Sequence, residues 1–120
     1  MMWLAVATAG ALGAVSRYLL DYAVSARAGG AFPWGTLLIN VSGSLLAGVV
    51  AGLTAQAAIP AEAQTVVAGG FLGAYTTFST AMYETARLLE DRARLLALAN
   101  HLIPLIASVI AAGLGLSLVR

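Results

Sequence analysis

Gly69-Gly70-Phe71-Leu72-Gly73-Ala74-Tyr75-Thr76-Thr77-Phe78-Ser79-Thr80 is the stretch on which the fold turns. It lies in an apolar run from about Ala63 to Met82, whose helix is expected over 63–87. Four hydroxyl residues fall within five positions, behind three glycines within five. A lone Ser or Thr in a membrane helix usually bonds back to its own helix. Four together, preceded by glycines, predict a helix that breaks mid-membrane with carbonyls and amides turned inward. Backbone of that kind survives only where it is buried in protein or lines a cavity, and broken helices often hold ions.

Three more apolar runs flank it, expected as helices over about 3–24, 34–53 and 95–119. Each approaches the roughly 20 residues that cross a bilayer core. Long continuous runs exclude a strand-built barrel, which uses short alternating segments. Across the 120 residues, 61% are hydrophobic and only 9% charged, against about 25% in a soluble domain. A soluble globule, a disordered tail and a nucleic-acid binder are all excluded. The net charge of +1 offers no field for phosphates. With no Cys and one His, there is no disulfide framework and no protein-built zinc site. The expected fold is all-α: one domain over 1–120 with four transmembrane helices, multi-pass in a cell membrane. The first run lacks a basic leading region and is too long for a cleaved leader, so it is counted as a helix.

Small residues recur at helical spacing: Asn40, Ser44, Gly48 and Gly52 in the second run, Gly69 and Gly73 in the third, Gly10 with Gly13-Ala14 in the first. Lipid supplies no hydrophobic drive between helices, so such faces are expected to pack them. Four short helices cannot enclose an aqueous path alone, which points to an oligomer.

Polar groups in hydrocarbon are costly and mark candidate sites. Arg17 and Asp21, four apart, are spaced to pair along one helix face. Asn40 reads equally as an interhelical clamp or as a functional amide with two donors and one acceptor. Asn100, His101 and Pro104 fall in the first turns of the fourth helix, with Ser108 beyond; His101 reads as an interfacial residue rather than a proton relay.

Gly10-Ala-Leu-Gly13-Ala14-Val-Ser-Arg17-Tyr18, then Pro33-Trp34-Gly35-Thr36-Leu37 with Asn40-Val-Ser-Gly43, then Gly70 to Thr80 resemble the Fluc/CrcB fluoride channels across essentially the whole chain. The resemblance implies four-helix subunits in an antiparallel dimer, with two fluoride pores and a central structural sodium ion. Sodium would be held by the backbone carbonyls of Gly73 and Thr76 from both subunits. The fluoride pathway would be lined by Asn40, Thr77, Phe78, Ser79, Thr80 and Ser108, with Arg17 near a vestibule. The implied function is passive fluoride efflux that protects a cell from fluoride, in its inner or plasma membrane.

The chemistry agrees with that expectation. Fluoride is small and strongly hydrated, so a pore must replace water with short hydrogen-bond donors. Asn, Ser and Thr donate without a full charge that would trap the ion, and a channel needs binding loose enough for exit. The positive ring edge of Phe78 adds weakly electropositive C–H groups. No nucleotide loop, nucleophile–base pair or carboxylate dyad is visible, so no enzyme is expected. A proton-coupled small multidrug exporter has similar size but centres on a Glu in its first helix, where this chain carries only Asp21. Two positions depart from the family pattern. Ala81 stands where a second Phe is common, and Pro104 stands where a Tyr one turn before the Ser is common.

Orientation follows the placement of Lys and Arg in short loops. Arg27, Arg87, Arg92 and Arg94 fall on the side of the first and third connections, and Arg120 alone falls on the side of the termini. The chain is therefore expected to insert mainly with both termini outside. An antiparallel homodimer needs both orientations; otherwise a second, oppositely inserted homologous subunit is required, and Ala81 and Pro104 resemble the partial losses of such paired chains. Labelling of an added C-terminal Cys is expected mainly from the outer face. Equal labelling from both faces, with fluoride flux from this chain alone, would defeat the paired-subunit expectation.

Overall fold

In the computed structural model, which describes all 120 residues, the chain is helical with no strand. Helix α1, Met2–Ala28, stops where Gly29 and Gly30 take φ of 62° and 77°, a region that glycine enters without steric penalty. Pro33 fixes the entry to α2, Trp34–Ala55. After Pro60 the third run begins with the single turn α3, Ala61–Gln64. It then widens into a π-helix over Thr65–Leu72 and closes with α4, Gly73–Tyr75. Helix α5, Ser79–Glu90, and helix α6, Arg94–Leu118, complete the chain. Helices α1, α2 and α6 are each long and apolar enough to cross a membrane.

The third run is interrupted at Thr76–Phe78, the region expected to break, with Thr76 extended at φ −77°, ψ 157°. The π-helix before it was not expected: hydropathy does not distinguish i→i+5 from i→i+4 bonding. Such coils concentrate at functional sites. Helix α6 begins at Arg94, one residue before the expected start, and Pro104 lies inside it.

Glycines bring the backbones together. A Cβ on Gly48 would strike the Ala112 carbonyl, and one on Gly115 would strike the Leu45 carbonyl, so α2 and α6 cross in direct backbone contact. On the other side, a Cβ on Gly13 would strike the backbone of Phe71, and one on Gly70 would lie 2.9 Å from the Val6 carbonyl. Here α1 packs on the π-helix. The expected Gly69/Gly73 stripe does not serve this purpose. Gly69 has nothing near it, and Gly73 meets only the Ala68 carbonyl at 3.5 Å; both face outward. The wider coil turns Gly70 rather than Gly69 toward α1.

Behind the break lies the small core of Ile39, Leu72 and Tyr75, with Leu20, Ala47 and Phe71 packed against it. The Phe71 and Tyr75 rings stack at 5.7 Å, and Tyr75 Oη shares a 3.0 Å hydrogen bond with Ser42 Oγ. The exposed rings of Tyr18, Tyr22 and Trp34 gather toward the Arg27 end, and Trp3 marks the other. This is the aromatic distribution of a membrane-spanning protein.

Gly48→Val forces a branched side chain into the α2–α6 crossing and should cost about 3 kcal/mol or more. Gly113→Ala, at an open position, should be neutral or stabilising by up to ~1 kcal/mol through helix propensity. Thermal unfolding in detergent, followed by circular dichroism, checks both.

Candidate functional site

The break is held by one side chain. Asn40, on α2, donates from Nδ2 to the Thr77 carbonyl at 2.7 Å and accepts from the Thr77 N–H at 2.8 Å through Oδ1. Its amide replaces the two helical bonds that Thr77 would otherwise make. In a continuing α-helix the Thr77 amide would reach back to the Gly73 carbonyl; here Asn40 intercepts it. The Thr80 amide would likewise reach the Thr76 carbonyl, but it donates to Thr77 Oγ1 at 3.2 Å. The Gly73 and Thr76 carbonyls are thereby released from the helical ladder, and so is that of Ala74, to which the Phe78 N–H makes no bond.

The Thr76 carbonyl receives a long contact of 3.5 Å from Arg17 Nη1. The expected pairing of Arg17 with Asp21 does not occur. Arg17 turns toward the break, while Asp21 packs against Gly35 and accepts from Ser25 Oγ at 3.4 Å. The hydroxyl of Thr76 bonds back to the Leu72 carbonyl at 2.9 Å, so its side chain is spent locally and its carbonyl meets only the long contact from Arg17.

Beyond the break the hydroxyls join. Thr77 Oγ1 donates to Thr80 Oγ1 at 3.1 Å and lies 3.4 Å from Ser79 Oγ. Phe78, in the gap itself, is 73% exposed. An open groove of about 540 Å³ runs past these groups. Asn40, Gly73, Thr76, Thr77, Phe78 and Ser108 all line it. Ser79 and Thr80 do not, and join it only through Thr77; Arg17 lies behind the break. Both departures from the family pattern, Ala81 and Pro104, line the same groove, as does His101.

No Asp, Glu, Lys or Arg lines the groove. An anion entering it meets no fixed negative charge, and a cation no carboxylate. Asn40 keeps one of its two Nδ2 hydrogens for the groove after bonding Thr77. The arrangement is a wall of neutral donors beside two liberated carbonyls.

Two further polar groupings lie nearby, one built on Thr36 and Glu84, which the sequence reading passed over, and one on Asn100, which it named and which lines the groove. Thr36, 2% exposed, donates to Glu84 Oε1 at 2.8 Å, while Glu84 Oε2 is buried with no partner. Asn100, 1% exposed, donates to the Ala81 carbonyl at 3.1 Å and to Thr85 Oγ1 at 2.9 Å. Their only advance signal is a polar residue within a membrane-length run.

A metal held by side chains is not on offer, since no group of three His, Cys, Asp or Glu residues converges. The Gly73 and Thr76 carbonyls fit a hard cation that takes oxygen ligands.

Comparison with known proteins gives a consistent answer. The family model described as CrcB-like protein, Camphor Resistance (CrcB), matches residues 4–116. A fluoride-specific ion channel FluC 1 of Frankia casuarinae is 47% identical over 125 residues, covering 100% of this chain and 97% of its own length. A fluoride-specific ion channel FluC of Syntrophotalea carbinolica is 47% identical over 96% of this chain and 94% of its own. A fluoride-specific ion channel FluC 2 of Mycobacterium tuberculosis is 45% identical over 95% of this chain and 87% of its own. Matched along nearly its full length, and carrying the broken third run that its glycines and clustered hydroxyls predict, the chain is a multi-pass membrane protein that belongs to the CrcB-like family.

Proposed function

We propose that the chain is a subunit of a fluoride-specific channel of the plasma membrane that lets fluoride leave a cell down its gradient. The observation that carries this reading is the groove: the neutral side chains of Asn40, Thr77 and Ser108 line it with the Phe78 ring, Ser79 and Thr80 reach it only through Thr77, and no carboxylate lines it. Fluoride sheds water only where hydrogen-bond donors replace it. The small multidrug exporter reading lacks its coupling acid in this groove.

The channel is an antiparallel dimer with a structural sodium ion at its centre. Support comes from surfaces that one chain leaves open: Gly73 outward with room around it, Phe78 exposed, and two freed carbonyls that make half a cation site. A second subunit completes the groove and the oxygen set. That subunit is a second copy or an oppositely inserted homologue. Ala81 and Pro104, both on the groove, favour the homologue, and several relatives carry numbered names such as FluC 1 and FluC 2.

Liposomes holding the purified chain, or the chain with its homologue, should release fluoride and retain chloride, read with a fluoride electrode and without a proton gradient. No fluoride release under either condition overturns the proposal. Asn40→Asp should cut flux by about tenfold or more, because it removes the donor to Thr77 and puts a charge beside the anion path; normal flux would sink this assignment.

Gly73→Val separates the subunit from the assembly. Its Cβ has space within one chain, so the variant should fold with a normal circular dichroism spectrum yet fail to dimerise or to bind sodium. A sodium-binding dimer would show that Gly73 lies away from the interface.

A further inference from the structure

The half-helix α5 brings Ala81 and Met82 to the groove, and its Ser79 and Thr80 bond to Thr77 at the groove wall, yet little holds it in place. It is twelve residues long, cut from α4 by the break, and packs chiefly on α6. Its contact face is narrow: Ala81 and Leu88 are buried at 4% and 6% exposure, opposite Ala97 at 2%. Small apolar residues of this kind allow close approach but do not fix the register of one helix along another.

We propose that Asn100 is a positioning residue that fixes α5, and with it the Thr77–Ser79–Thr80 hydroxyls, against α6. Both Nδ2 hydrogens are committed, one to the Ala81 carbonyl at 3.1 Å and one to Thr85 Oγ1 at 2.9 Å. Thr85 Oγ1 in turn donates to the same Ala81 carbonyl at 2.8 Å. The three groups form a closed triangle that tolerates no slip of α5 by one residue. An amide with both donors engaged has none left for an anion, so Asn100 acts on the groove through α5 rather than by touching the ion.

Sequence placement strengthens the assignment. The bond lands on Ala81, where the short side chain leaves its carbonyl open to α6. Four residues after Asn100 comes Pro104, which lacks the amide that would bond the Asn100 carbonyl within α6. The lock therefore stands where α6 has lost one of its own bonds. Asn40 ties the near side of the gap to α2, and Asn100 ties the far side to α6.

The proposal rests on the channel reading for its effect on flux but not for its effect on structure, and two readouts separate them. In nanodiscs, Asn100→Leu, which keeps volume and removes both donors, should raise amide hydrogen exchange across Ser79–Leu88 by about tenfold while leaving α2 unchanged. Thr85→Val should give a smaller rise, and the double variant should be no worse than Asn100→Leu alone, since all three remove one network. Where wild type conducts, Asn100→Leu should lower fluoride flux with dimerisation intact, and Asn100→Ser, which keeps one donor, should recover part of it. Unchanged exchange in α5, an equal rise in α2, or unchanged flux in a conducting channel overturns the proposal. If Asn100→Leu does not fold, Thr85→Val decides: no rise confined to α5 overturns it. A wild type that conducts no fluoride defeats the channel reading, while the exchange pattern still decides the lock.

Discussion

A broken helix inside a bilayer has no water to satisfy the backbone groups it exposes, and everything near the groove answers that constraint. The Asn40 amide is the main answer. By pairing with both polar groups of Thr77 it closes the amide side of the gap, and by doing so it withholds that amide from Gly73. The carbonyl side is left open. Arg17 lies within reach of Thr76, and nothing in one chain serves Gly73. The gap therefore leaves carbonyls short of donors, and Gly73 and Thr76 lie on the same groove that Asn40 and Phe78 line.

Glycine has two distinct uses here. Gly13, Gly48, Gly70 and Gly115 are spent inside the subunit, where a Cβ would meet backbone. Gly69 and Gly73 are spent outside it, on a surface that the single chain leaves uncovered. The first set brings the helices of the subunit into backbone contact; the second leaves room for another surface to approach the π-helix as closely.

The glycine run and the four clustered hydroxyls made the break legible, because that density of polar groups has no cheap solution inside a regular helix. The apolar runs gave α1, α2 and α6 for the same reason that hydropathy works in membranes at all. What was not legible depends on partners far apart in the chain. Arg17 is four residues from Asp21 but reaches the Thr76 carbonyl, and nothing in the local spacing announces that choice. Asn100 finds acceptors 15 and 19 residues away on α5. The orientation of the glycine faces was misjudged because the π-helix shifts them, and apolar composition is silent about whether a coil bonds at four residues or five.

That coil also sets the phase of everything beyond it. Thr65–Leu72 bonds five residues back rather than four, so it holds one residue more than an ordinary helix would need for the same path. Removing that residue would restore the ordinary pitch over the same path and leave the following segment near its present phase, whereas a residue lost from a regular helix turns everything beyond it by about 100°. Gly73 and the Thr76 carbonyl would keep their places beside Asn40 and Arg17. A lost residue is therefore tolerated in this coil where the regular helices α2 and α6 cannot accept one.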